Sequence, residues 1–281
     1  MRKQLVIGVY LVLTGGPLFA GLGYSLAYSL GLTGLLNEGF TLHHWQRLWS
    51  GSDALLSLGY SLYLTVASLT LILPAAVLFA WWQYRKGRGG LFHKILFLPL
   101  TFPPLIAAFA WYYLLSPGGL LSRASFQAGF TGGIGDFPRL VNDAWGIGIL
   151  LTHLFLIFPL FAILFAHQAE KERMGELEAI SRTLGGSDRQ FLQGVFAPLL
   201  LKRSSPLIVL YAIFLFGAYE VPLLLGRSSP RVATLFITEK MTKYNLLDVP
   251  VGHAMAVVYT LSVITLATLL LRRGRFKLFE V

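Results

Sequence analysis

Long runs of apolar residues occupy most of the chain, and shorter stretches between them gather the polar and charged positions. A helix that crosses about 30 Å of hydrocarbon needs about 20 consecutive, mostly apolar residues. Six stretches have that length, at about residues 5–30, 55–82, 92–115, 144–167, 206–226 and 250–271. The pattern predicts an all-α, polytopic membrane protein with about six transmembrane helices in contact with lipid.

The composition favours the same class. The 281-residue chain is 55% hydrophobic and only 13% charged, whereas soluble domains carry about 25% charged residues. It contains no cysteine, which excludes disulfides, thiolate metal sites and cysteine nucleophiles. No polar stretch is long enough for a soluble domain, so we expect residues 1–281 to form a single transmembrane domain.

The basic residues indicate how the chain is oriented. With these six spans, sixteen of the 23 Lys and Arg residues lie on the side that holds both termini, and seven lie on the other side. Cytoplasmic loops carry an excess of Lys and Arg. We therefore expect both termini in the cytoplasm, and we attribute the net charge of +10 to orientation rather than to a nucleic-acid partner.

The longest interruption between spans is the polar segment, at about residues 168–205. From Glu170 to Leu184 it has alternating charge and an apolar stripe at positions i, i+3 and i+7, which predicts a helix. Gly185 and Gly186 should end this helix, because glycine readily adopts the left-handed conformation at a helix terminus. The stripe consists of Leu177, Ile180 and Leu184.

A second helix should follow the two glycines. Ser187 or Asp188 can cap its N-terminus, and Pro198 should end or bend it before the fifth span. The pattern alone leaves two interpretations open. The polar segment is either an ordinary solvated connector or a surface on which a partner protein docks.

A family resemblance bears on this choice. The spacing of Gly185, Val195 and Pro198 resembles the EAA loop of ABC-importer permeases, which reads E-A-A, three residues, G, nine residues, I-x-L-P. When the two are aligned on the glycine, Glu178 lies one residue before the first position of that pattern. The stretches Leu96–Leu121 and Phe216–Gly226 also resemble the third and fifth spans of polyamine-type permeases.

The resemblance implies a type I importer in a bacterial inner membrane. Two permease subunits, identical or sister chains, would form the solute path above two ABC ATPase subunits, and an external solute-binding protein would deliver the ligand. The chain has no G-x-x-x-x-G-K-[ST] phosphate loop of its own. We therefore expect a transport subunit rather than an enzyme, without a cofactor of its own, while ATP and Mg²⁺ bind the partner ATPase.

The resemblance also assigns a role to the polar segment, whose short helix would dock on the ATPase. An apolar centre with a charged rim suits such an interface. The expected ATPase-coupling residues are Glu178, Ala179, Arg182, Leu184, Gly185, Gly186, Ser187, Asp188, Arg189, Val195 and Pro198.

One acidic residue, Glu220, falls within a predicted span. A carboxylate at membrane depth is costly and indicates a ligand or ion path. We expect Tyr219, Glu220 and Pro222 to line the substrate path and to favour a small cationic solute such as a polyamine. The alternative is a carboxylate near the outer interface, either hydrated or paired with Arg227. Related permeases take thiamine, phosphonates, sulfate or iron complexes, so the substrate stays open.

Other signals are weaker. The pair His43-His44 is too isolated to predict a metal site, and His153 and His253 are typical of packing residues that bond to a neighbour. A self-sufficient carrier or channel is the alternative function, but such proteins usually show internal repeats and several buried ionisable residues. Neither feature is evident in this sequence.

Overall fold

The computed structural model describes residues 2–35, 37, 39–87, 94–243 and 245–273, and these residues form helices and loops without a β-strand. The all-α prediction is confirmed. The α-helices are α1 (Arg2–Ser29), α2 (His43–Trp49), α3 (Asp53–Lys86), α4 (Pro104–Leu115), α5 (Leu120–Gln127), α6 (Ile147–Lys171), α7 (Met174–Thr183), α8 (Asp188–Phe191), α9 (Ala197–Arg203), α10 (Ser205–Phe216), α11 (Glu220–Leu225), α12 (Ala233–Thr242) and α13 (Val249–Arg273).

Within the described residues, five helical stretches are long and apolar enough to cross a membrane, and a bent pair gives a sixth if it counts as one span. That pair joins Asp188–Arg203 to Ser205–Phe216 at an angle of 65°. The five stretches are Gly8–Ser29, Asp53–Lys86, Pro104–Gln127, Ile147–Lys171 and Leu246–Leu271.

The third span begins later than the sequence predicts. Part of the predicted stretch at 92–115 lies outside the described residues, and a one-turn 3₁₀ helix at Pro99–Thr101 precedes α4. The neighbouring prolines Pro103 and Pro104 explain the late start. Each proline lacks a backbone N–H, and each disfavours a helical conformation in the residue before it.

The fifth span is interrupted, which corrects the prediction of one helix over 206–226. Helix α10 ends at Phe216, and α11 starts only at Glu220. Pro222 supplies the reason, because its ring would clash with the carbonyl of Ala218 in a continuous helix. The short helix α11 packs against α4 and α6, and this packing positions Glu220.

The chain divides into two compact units. Unit 2 comprises Ser61–Ser229 and Ala267–Val281. Its core contains four fully buried or nearly buried phenylalanines from α6, α8 and the turn that follows α8. They are Phe161, Phe165, Phe191 and Phe196. The core thus ties the polar segment to the long helix α6.

Unit 1 comprises Met1–Tyr60 and Pro230–Leu266. Its core includes Phe236 and Met255. His253 stacks on the ring of Tyr28 at a centroid distance of 4.3 Å and shares a hydrogen bond with Ser25 at 3.2 Å. The packing role predicted for this histidine is confirmed.

Candidate functional site

The first helix of the polar segment starts four residues later than predicted. Glu170 and Lys171 still belong to α6, and α7 begins at Met174. Arg173 separates the two helices with a left-handed φ of 52°, a conformation that residues other than glycine rarely adopt. Residues 170–173 contain no glycine or proline to indicate this turn, so the sequence pattern missed it.

The predicted break at the two glycines is confirmed, and each glycine has a separate reason. Gly185 has a left-handed φ of 78° and donates its N–H to the carbonyl of Arg182 at 3.0 Å. Gly186 donates to the carbonyl of Ser181 at 2.8 Å. This pair of bonds is the Schellman arrangement that closes helix C-termini. A Cβ on Gly186 would lie 2.9 Å from the Ser181 carbonyl oxygen, so only glycine fits without a shift.

Ser187, one of the two capping candidates, caps the second helix. The Ser187 hydroxyl accepts a hydrogen bond from the Gln190 N–H at 3.3 Å, and the Gln190 side chain accepts one from the Ser187 N–H at 2.8 Å. This reciprocal pair is a capping box. The glycine break and the capping box together give the polar segment a defined turn of only a few residues.

Pro198 does not end the second helix, so that part of the prediction is wrong. A π-helical turn at Leu192–Phe196 connects α8 to α9, and Pro198 lies in the first turn of α9. The wider turn accommodates a residue that cannot donate a hydrogen bond and whose ring crowds the preceding turn. The helix bends instead at Ser204, where α9 meets α10.

Charged side chains join the two sides of the glycine break. On α7, the Arg182 Nη2 lies 2.7 Å from Glu178 Oε1 and 3.1 Å from Asp188 Oδ1, which follows the break. From α3, the Arg85 Nη1 lies 3.0 Å from Glu178 Oε1, and its Nη2 lies 2.7 Å from Asp188 Oδ1. Two arginines therefore each bridge the same two carboxylates.

Glu178 is the centre of this network. Its side chain is only 12% exposed, and it also accepts a 2.5 Å hydrogen bond from the Tyr84 hydroxyl. Burial raises the pKa of Glu178, but hydrogen bonds from Tyr84 and Arg182 and the charges of Arg85 and Arg182 outweigh burial and hold the pKa below its usual value. The Glu178 carboxylate therefore points inward, and its contacts favour the ionised form.

Other residues of α7 point outward. Ala179 is exposed, Ile180 is 58% exposed and Leu184 is 83% exposed. Leu177 instead packs against the core of unit 2. The predicted apolar stripe therefore divides into one anchoring residue and two exposed ones. Arg189 on α8 is exposed on the same short unit.

The last two residues of the EAA-like spacing lie beyond the turn. Val195 is half-buried against the core of unit 2, and Pro198 is exposed at the start of α9. The structure does not bring either residue into the charged network around Glu178.

A cavity of about 440 Å³ lies within unit 2, at the interruption of the fifth span. Its volume is within the usual range for ligand pockets. Both Tyr219 and Glu220 line it, as the sequence predicts, whereas Pro222 is buried outside the lining. The remaining wall includes three aromatic rings, which belong to Phe102, Tyr211 and Phe214.

Glu220 is the acidic residue of this wall. Within the part of the chain that the structure describes, its carboxylate makes no ion pair or hydrogen bond, and the alternative pairing with Arg227 is not formed. The interruption before α11 places Glu220 in the first turn of a helix. Helix N-termini favour negative charge, which lowers the cost of this carboxylate.

The sequence pattern missed one polar residue of the cavity. His153, on α6, lines the wall and shares a buried hydrogen bond with Ser68 of α3 at 2.9 Å. The bond confirms the prediction that this histidine is a packing residue bonded to a neighbour. The position of His153 beside the cavity, however, depends on packing between two helices that are distant in sequence. Among the described residues no group of three or more His, Asp or Glu side chains is arranged to hold a metal ion.

Comparison with known proteins shows where this fold occurs. No protein-family model and no curated protein matches the chain. Solved structures with a similar fold include two that each match over 98% of this chain. A bacterial ABC transporter involved in the import of the acidic polysaccharide alginate matches with a TM-score of 0.76 at 14% identity, over 94% of that chain. A bacterial alginate ABC transporter in complex with an alginate pentasaccharide-bound periplasmic protein matches with a TM-score of 0.70 at 15% identity, over 93% of that chain. The chain therefore shares its all-α fold with a chain of each of these ABC transporters.

Proposed function

We propose that this chain is the transmembrane permease subunit of an ATP-driven importer in a bacterial inner membrane. One observation carries the proposal: α7 presents Ile180 and Leu184 to solvent at a turn fixed by a Schellman arrangement and a capping box. Neither residue lies in a candidate membrane span, so lipid does not explain their exposure. Apolar residues one helical turn apart on an exposed face outside the membrane suit a protein contact.

The partner in this proposal is an ABC ATPase subunit, which binds ATP and Mg²⁺. Ile180 and Leu184, with Ala179, form the apolar centre of the docking surface, and Arg182 and Arg189 form part of its rim. This arrangement matches the apolar core and polar rim of stable interfaces. Glu178 stabilises this surface from beneath rather than contacting the ATPase. Its carboxylate accepts a hydrogen bond from Tyr84 and forms ion pairs with two arginines. The excess of basic residues supports a cytoplasmic location for this surface and for both termini.

A second permease subunit and an extracytoplasmic solute-binding protein complete the proposed assembly. The likeness to a transporter solved with its periplasmic protein supports the second of these partners. In this assembly the cavity at the interrupted fifth span belongs to the solute path.

The substrate we propose is a small cationic solute such as a polyamine. The unpaired carboxylate of Glu220 provides the negative charge, and the rings of Phe102, Tyr211 and Phe214 can hold a cation over their faces. A second candidate is an acidic saccharide, which the fold likeness to alginate importers favours. Competition between a polyamine and an alginate oligosaccharide in one uptake assay distinguishes them, because only the transported class inhibits at low concentration.

Co-purification tests the proposed coupling. A tagged copy of this chain should retain the ATPase encoded by a neighbouring reading frame, and Leu184→Ser should weaken that association at least tenfold. Leu247→Ser is the matched control, because Leu247 is also exposed but lies on unit 1 and outside the polar segment. If Leu184→Ser binds the ATPase as tightly as Leu247→Ser does, the docking surface is wrong.

A further inference from the structure

The end of α3 contacts both sides of the glycine break through one side chain. The Arg85 guanidinium lies 3.0 Å from Glu178 on α7 and 2.7 Å from Asp188 on α8. Arg182 bridges the same carboxylates, but it belongs to the polar segment itself and is 56% exposed. Among the described charged residues, Arg85 therefore supplies the ionic connection from a membrane-crossing helix to both halves of the break.

Its neighbours on α3 hold Arg85 in place. Trp81, Tyr84 and Arg85 occupy positions i, i+3 and i+4, which share one helix face. The Arg85 guanidinium lies over the Trp81 ring at 4.4 Å, and the Tyr84 hydroxyl donates to Glu178. The Trp81 ring also meets Phe196, edge to face, at a centroid distance of 5.1 Å. An aromatic contact and an ionic contact thus fix the same face of α3 to the polar segment.

The chemistry requires arginine at this position. A planar guanidinium can donate to two carboxylates at once, whereas a lysine ammonium is a compact point charge on a flexible stem. The Arg85 side chain is 29% exposed and Glu178 is 12% exposed. This pair is therefore less solvated than the surface ion pairs that contribute little to stability.

We propose that Arg85 is a positioning residue that locks the two helices of the glycine break to the end of α3. When the ATPase moves the docked surface, this lock passes the displacement to α3, which contacts the cavity wall through the Ser68–His153 bond, instead of allowing α7 and α8 to move alone. The inference rests on the proposed function, and it assigns transmission to a residue outside the docking surface.

The assembled transporter, reconstituted in proteoliposomes, provides the test. Arg85→Gln should keep ATPase binding and should leave the ATP hydrolysis rate within about twofold, while solute uptake per ATP falls about tenfold. That loss lies between the expected effects of an exposed and a buried ion pair. Arg85→Lys should give an intermediate ratio, because it keeps the charge but not the fork. Lys86→Gln is the matched control, since it removes a positive charge from the adjacent, exposed residue of the same helix.

The outcomes separate the two proposals. If the wild-type chain neither binds the ATPase nor takes up solute with ATP, the proposed function fails. If the wild type does both and Arg85→Gln keeps the uptake per ATP of Lys86→Gln, only the role of Arg85 is overturned. Loss of ATPase binding in Arg85→Lys and Arg85→Gln alike would also overturn it, because Arg85 would then belong to the docking surface or to the fold.

Discussion

Replacing the two glycines of the break one at a time should have unequal effects. In Gly186→Ala, the new Cβ would lie 2.9 Å from the carbonyl oxygen of Ser181, the same atom that accepts the Gly186 N–H. The backbone must shift and weaken that hydrogen bond. In Gly185→Ala, the Cβ meets nothing within 4 Å, and only the left-handed φ of 78° is unfavourable.

The two costs can be estimated. A forced shift around an overpacked atom costs about 1–3 kcal/mol, and the hydrogen bond is weakened rather than lost, so we expect about 2 kcal/mol for Gly186→Ala. A left-handed alanine costs about 1 kcal/mol. These values correspond to about 30-fold and about fivefold changes in the local opening equilibrium. Gly185→Asn should cost less than Gly185→Ala, because asparagine tolerates the left-handed region.

Amide hydrogen exchange of peptides from residues 174–191 measures this equilibrium. Protection should fall about 30-fold in Gly186→Ala and about fivefold in Gly185→Ala. Gly194→Ala is the control, because its Cβ would meet nothing within 4 Å and its φ is not positive. Wild-type protection in Gly186→Ala would refute the larger cost expected at Gly186. A greater loss of protection in Gly185→Ala than in Gly186→Ala would refute it too.

Three further predictions concern single side chains. Glu220→Gln should reduce uptake of a cationic solute about tenfold, which is about the effect of one charge pair in a partly solvated site. ATPase binding should stay intact. Unchanged uptake kinetics would contradict a role for this carboxylate. The pKa of Glu178 is lowered in the folded chain. The ion pairs of Glu178 therefore stabilise the polar segment fully when the pH is above the ordinary glutamate pKa of about 4.3. This stabilisation is lost as the pH falls through the lowered pKa of Glu178. Hydrogen exchange should therefore show acid-induced opening of α7 that Glu178→Gln abolishes, and an identical pH profile in this variant would count against it. Ser187→Ala should destabilise the second helix by about 1 kcal/mol through loss of the cap, and thermal unfolding that matches wild type would exclude that contribution.

Local sequence signals identified the turn of the polar segment. Glycine at a helix end and serine three residues before glutamine act within a few positions, so both could be predicted from the chain alone. The sequence places Glu178 and Leu184 in the same helix but does not show which way each side chain points. In the structure Glu178 is directed inward, whereas Leu184 is exposed.

Long-range contacts could not be predicted in the same way. Tyr84 bonds Glu178 across 94 positions, and Ser68 bonds His153 across 85 positions. Such pairs depend on which helix faces meet, and hydropathy does not encode that information. The interruption of the fifth span was also missed, because Phe216–Gly226 is apolar enough to hide the effect of Pro222 on the preceding backbone.

The most direct test of the central claim is solute uptake by the reconstituted chain with and without its ATPase. The proposed permease requires the ATPase subunit and hydrolysable ATP, and a proton or sodium gradient alone should give no uptake. Leu184→Ser should lower the ATP-driven rate in proportion to its weaker ATPase binding. Gradient-driven uptake by the purified chain alone, with no response to ATP, would show a self-sufficient carrier and contradict the account.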